Sequence, residues 1–162
     1  MSRFQFLASD RMLMEVKNPY RELISINEAI IRNIKIPDLV MDSTEIDRDK
    51  KFIVACDSEE QLNALEIKND MYYSSEYAKQ YSNKLYFSEL RFRYTEKRAE
   101  QLLDYLKGQI NDLQEIELWS IWLGEEDATA SIKSKNINEL TIKDLAFLNK
   151  SANKQRCLII KK

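Results

Sequence analysis

The sequence predicts an α+β fold: a mainly antiparallel sheet, one long amphipathic helix at about residues 95–112 packed on a face, and several short helices. Three observations predict it. Short runs alternate apolar and polar residues, and hairpin-length gaps join them more often than helical crossovers do. One longer stretch, Thr95 to Asp112, carries its apolar residues at helical spacing. Finally, EIELWSIWL (Glu115–Leu123) would put Ile116, Leu118, Ser120 and Trp122 on one face of a strand and Trp119, Ile121 and Leu123 on the other. Apolar groups on both faces need cover on both sides, so this strand belongs in the sheet interior.

In chain order, Arg3–Leu7 sets Phe4 and Phe6 against Gln5 and Leu7 and reads as a first strand. Pro19 interrupts any long helix between Arg11 and Leu23. Ser25 followed three residues later by Glu28 is a capping box that opens a short helix near Ile26, with Pro37 at or just past its end. Asp38 to Lys51, rich in acids and poor in apolar anchors, reads as the longest loop. The apolar runs Lys51–Cys56 and Leu62–Lys68 flank a polar DSEEQ segment and suggest a hairpin; the alternative is a short helix opened by Ser58 and Gln61. Ser74–Ser82 reads as a small helix with Tyr77, Ala78 and Tyr81 on one side, and Lys84–Tyr94 as an alternating strand. Thr95 caps the long helix, whose stripe is Ala99, Leu102, Leu103, Leu106, Ile110 and Leu113. Gly108 within it costs up to ~1 kcal/mol relative to Ala and points to a frayed last turn. Beyond the central strand, Gly124–Asp127 reads as a turn and Thr129–Lys135 as a returning strand. Thr141 and Asp144 mark a second small helix, and Arg156–Lys161 reads as the last strand.

A chain of 162 residues without low-complexity segments is expected to form one globular domain, 1–162, large enough to bury its own core. Hydrophobic residues at 44% beside 32% charged place it among soluble globular proteins. No apolar run approaches the ~20 residues of a membrane span, and MSRFQFLASDRM does not have the form of a signal peptide. A cytoplasmic chain with no membrane partner is therefore expected. Cys56 and Cys157 lie in apolar runs and are expected as two buried thiols rather than a disulfide.

The missing residue types narrow the chemistry. With no His, the chain has no Ser-His-Asp or Cys-His site and no His metal ligand. With only Gly108 and Gly124, it has neither a glycine-rich phosphate loop nor a dinucleotide fingerprint. No catalytic residue, cofactor or metal is expected, and any enzyme would have to work with Asp, Glu, Lys, Tyr or Arg.

Two zones stand out as candidate partner-binding surfaces. Between Tyr72 and Tyr94 lie six of the eight tyrosines, among them Tyr72, Tyr73 and Tyr77, interleaved with Arg91 and Arg93. Tyr and Arg dominate binding hot spots, although tyrosines also line the boundary between any core and water. Stacking bases on such a zone is opposed by the net charge of -2 and the pI of about 5.4, so a nucleic-acid partner is not expected. The second zone is acidic: Asp42, Glu45, Asp47 and Asp49 crowd one segment and would steer a basic partner, although solvated turns are often charged as well.

These residues point to a non-catalytic protein-binding module. Bacterial immunity proteins that neutralise toxin domains are often small, acidic, cytoplasmic single domains, and the chain is similar to them in size and charge alone. That likeness implies an antitoxin-type inhibitor that occludes a partner, a basic toxin domain, with acidic loops and aromatic anchors. The alternative is an enzyme or small-molecule binder built on Arg91, Arg93 and a carboxylate such as Glu89.

Overall fold

The structure, a computed structural model, describes residues 3–69, 75–123, 129–149 and 154–162. The elements in chain order are β1 (Arg3–Ser9), β2 (Glu22–Ile24), α1 (Ile26–Ile31), α2 (Asp38–Met41), β3 (Ile53–Ala55), α3 (Glu59–Leu62) and β4 (Glu66–Lys68). They continue with α4 (Ser75–Lys79), β5 (Tyr86–Arg91), α5 (Glu96–Gln109), β6 (Glu115–Trp122), β7 (Ser131–Asn136), α6 (Ile142–Leu145) and β8 (Arg156–Lys161). Contacts divide the chain into two compact units, residues 18–62 and the remainder.

The larger unit holds a six-stranded sheet of order β4-β5-β1-β6-β8-β7, antiparallel except for the final β7–β8 pair. β6 lies inside it, between β1 and β8. Its two apolar faces are both used. Ile116 and Leu118 enter one core with Leu7, Ile67, Leu90 and Leu158. Trp119 and Ile121 enter the other with Phe4, Phe6 and Ala8. β1 divides its side chains in the same way, and it runs two residues beyond the expected Leu7 to reach Ser9.

α5 covers the first face, capped by Thr95, whose hydroxyl accepts from Arg98 N at 3.2 Å. A 14-residue helix is marginal in isolation, so tertiary packing must stabilise it. Leu102, Leu103, Leu106 and Ile110 are all buried, each contributing ~1.5–3 kcal/mol, which outweighs the ~1 kcal/mol cost of Gly108. The expected fraying is not seen: α5 runs through Gly108 to Gln109 and tightens into a 3-10 turn over Ile110–Asp112. α6 and the flanking turns Ile137–Glu139 and Ala146–Asn149 extend the same cover through Ile137, Leu145 and Leu148. On the second face, Ala78 of α4 and the following Tyr81 pack over an aromatic stack in which Phe6 and Trp119 lie 5.9 Å apart with nearly parallel rings.

Several expectations are corrected. β3 and β4 do not form a hairpin; β3 pairs with β2 and β4 with β5. The helical alternative is what forms, with Ser58 Oγ accepting from Gln61 N at 3.2 Å and Gln61 Oε1 accepting from Asp57 N at 3.0 Å. β7 does not return against β6. β8 takes that place, and β7 lies parallel to it at the sheet edge, because the connection from β7 crosses over the sheet through α6. The segment from Asp38 opens as α2, one turn begun by Pro37, rather than as loop throughout. Cys157 is buried, but Cys56 is only partly so, and both thiols are free. The expected turn at Gly124–Asp127 lies outside the described residues.

Candidate protein-docking surface

The unit of residues 18–62 is built on a two-stranded sheet and short helices. Ser25 Oγ accepts from Glu28 N at 3.1 Å and Glu28 Oε2 accepts from Ser25 N at 2.8 Å, closing the capping box that starts α1. Lys51 and the Ser25 amide hold the Glu28 carboxyl below its usual range. Asn33, at φ 55°, ends the helix: Ile34 N reaches Ala29 O and Asn33 N reaches Ile30 O, the paired bonds of a Schellman stop. Ile24, Ile26, Ala29 and Ile36 form a small core against Ile53 and Ala55.

That core uses one face of the β2–β3 pair and leaves the other uncovered. Leu23 stands opposite Val54 in the ladder, and they are 54% and 41% exposed. Phe52, two residues before Val54 and so on the same face, is 37% exposed. Nine of the fifteen exposed large hydrophobic side chains among the described residues lie in this unit, which holds under a third of the chain. Leu23, Phe52 and Val54, sharing one face of this small sheet, form the candidate docking patch, since contiguous rather than scattered apolar exposure marks interaction sites. The unit also carries ten carboxylates and six cationic side chains, a formal -4, whereas the chain as a whole carries -2.

The acidic residues expected at a partner surface all belong here, and all four are exposed. They are not equivalent. Asp47 Oδ1 accepts from Asp49 N at 3.0 Å, and Asp49 Oδ1 accepts from Asn27 Nδ2 at 2.8 Å, so these two brace the turn leading to β3. Asp42 and Glu45 make no side-chain hydrogen bond or ion pair among the described residues, and their charge is fully available.

The aromatic and arginine candidates belong to the other unit. Tyr72 and Tyr73 lie outside the described residues. Tyr77 sits on α4, 38% exposed. Strand alternation divides the remaining aromatics: Tyr81 and Phe87 pack on the Trp119 side, whereas Phe92 and Tyr94 pack on the α5 side, so they do not form one continuous platform. Arg91 forms a two-pronged ion pair with Glu89, at 2.7 and 2.9 Å, which raises the Arg91 pKa. Arg93 follows β5; its amide donates to Asn63 O and its carbonyl accepts from Arg98 Nη1 at 3.0 Å. A hollow of about 200 Å³ beside Arg3, Phe4, Glu89 and Arg91 is the setting for the small-molecule alternative, and there the carboxylate and the guanidinium already satisfy each other. Among the described residues, no three metal-ligating side chains come together.

Comparison with known protein families, curated proteins and solved structures finds no match. The candidate docking surface therefore rests on its own geometry. Leu23, Phe52 and Val54 were not singled out from sequence, although a signal was present: both alternation registers are apolar at Leu23–Ile24 and Phe52–Val54, and a two-stranded sheet with helices on one side can bury only one register.

Proposed function

We propose that the chain is a non-catalytic protein-binding module whose 18–62 unit docks on, and occludes, a basic partner surface with an apolar centre. What carries this reading is the uncovered Leu23–Val54 pair with Phe52, in a unit of net negative charge. Interfaces place apolar anchors at the centre and charge at the rim, where it steers encounter more than it adds affinity. An antitoxin-type or immunity-type inhibitor, acting in the cytoplasm on a basic toxin domain, fits a chain without His whose acidic unit presents such a face. No described helix is long and apolar enough to cross a membrane.

The test is co-expression with the product of the adjacent reading frame, followed by size-exclusion chromatography and an assay of that product's activity. A stoichiometric, inhibited complex is expected, lost in the Leu23→Asp/Val54→Asp double variant while the far-UV circular dichroism is kept. A double variant that still forms the complex would remove this face from the interface. A partner inhibited only at catalytic ratios would overturn the occlusion mechanism.

A further inference from the structure

At the β7–β8 edge of the sheet, on the face that carries α5 and α6, lies an open cleft of about 480 Å³. Register places Lys133 beside Leu158 and Lys135 beside Ile160, so both lysines rise on the same side as those core residues. Arg156 is half-buried at the start of β8, Lys154 precedes it, and Lys143 comes from α6. Phe147, packed against the core from the Ala146–Asn149 turn, supplies an apolar wall.

The only carboxylate lining the cleft among the described residues is Asp144, and it is already engaged. Lys135 Nζ donates to both its oxygens at 2.8 and 2.9 Å, and the Thr141 amide and hydroxyl donate to Oδ2 at 2.8 and 2.7 Å. Lys133, Lys143, Lys154 and Arg156 then remain with no ion pair among the described residues. Four like charges round one hollow repel each other, and the chain, at -2, had carboxylates enough to pair them. An anion in the cleft turns that repulsion into binding energy.

We propose that this cleft binds the phosphate groups of a small phosphorylated molecule, with Lys133, Lys143, Lys154 and Arg156 around the phosphates and Phe147 against the body of the ligand. The volume suits a ligand of nucleotide size. Arg156 is held in place from behind. Its neighbour Gln155 is fully buried, bonds both polar groups of the Trp122 backbone, and accepts from Ser131 N through its carbonyl, so the cations of β7 and β8 share one fixed frame. This site is independent of the docking face, being built on the other unit of the chain.

The experiment is titration calorimetry of the 162-residue chain with pyrophosphate and, separately, with ADP, at near-physiological salt. Saturable binding of one equivalent is expected, weakened about tenfold or more in Lys133→Gln/Arg156→Gln. Lys154→Gln, at an exposed position outside any strand or helix, should weaken it in the same direction without affecting folding. Lys107→Gln on α5 should leave it unchanged. Absence of binding to either probe at millimolar concentration would overturn the proposal, as would affinities that the cleft variants do not alter. Tighter binding of a single-stranded oligonucleotide or of an acidic peptide at the same residues would also overturn it, since the ligand would then be a macromolecule.

Discussion

The side chain of Gln155 grips both polar groups of the Trp122 backbone: Oε1 accepts from Trp122 N at 2.7 Å, and Nε2 donates to Trp122 O at 3.1 Å. An amide side chain thus stands in for one rung of the β6–β8 ladder just before β8 begins, which lets the two strands end at different places without leaving Trp122 unsatisfied. Gln155→Ala strands both groups and should cost about 2–4 kcal/mol. Gln155→Glu keeps the acceptor but loses the donor, and should fall between. Urea unfolding followed by tryptophan fluorescence measures both; equal stabilities for all three proteins would show that the grip contributes nothing.

Of the two tryptophans on β6, Trp119 is the one in the core. It is 3% exposed, stacked on Phe6, and anchored by Nε1 donating to Glu117 Oε2 at 2.7 Å, whereas Trp122 is half-buried at the strand end. Trp119→Ala should cost about 3–5 kcal/mol, and Trp122→Ala clearly less. The reverse order in chemical denaturation would mean that the strand is shifted by one residue, since a one-residue slip exchanges the two faces.

How much of this was legible in the sequence depends on the range of the interaction. The Ser25–Glu28 box and the Thr95 cap are local chemistry, spanning three residues, and both form as expected. The apolar stripe of α5 and the double apolar face of β6 are periodic signals, and they too hold. Strand pairing is long-range: Lys51–Cys56 and Leu62–Lys68 look alike as apolar runs, yet they feed different sheets, and nothing in either run names its partner. The same ambiguity hid the exposed Leu23–Val54 face. Apolar residues in both registers mean two-sided cover at Glu115–Leu123 but a bare face at Leu23 and Val54, because six strands with helices on both faces can cover what two strands cannot. The acidic segment was visible from composition, but which of its acids are bound into turns could be read only from the hydrogen bonds.

Gly108 offers a gain rather than a loss. Apart from its chain neighbours and the helix's own backbone, a Cβ added there meets no heavy atom within 4 Å, and the residue lies inside α5. Gly108→Ala should stabilise the protein by about 0.5–1 kcal/mol, chiefly by restricting the unfolded chain. Thermal melts of the two proteins in the same buffer check this. A lower melting temperature for the variant would indicate that the tightening at Ile110–Asp112 needs the freedom of glycine.

The four candidate acids, Asp42, Glu45, Asp47 and Asp49, should separate into two pairs under charge reversal. Asp42 and Glu45 hold no partner among the described residues, so Asp42→Lys/Glu45→Lys should change stability by no more than about 0.5 kcal/mol. If this segment steers a basic partner, the same double variant should slow association roughly tenfold at low ionic strength. The deficit should shrink as salt is added, because exposed charges are screened beyond ~10 Å at 0.1 M. Asp49→Lys removes the acceptor for Asn27 Nδ2, and Asp47→Lys removes the one for Asp49 N, so each should also destabilise the turn, by about 0.5–1.5 kcal/mol. Stopped-flow association across a salt series, read beside thermal melts, distinguishes the effects. Slower association confined to low salt with an unchanged melt assigns Asp42 and Glu45 to steering, whereas an association rate indifferent to reversal at every salt concentration removes the acidic segment from the encounter surface.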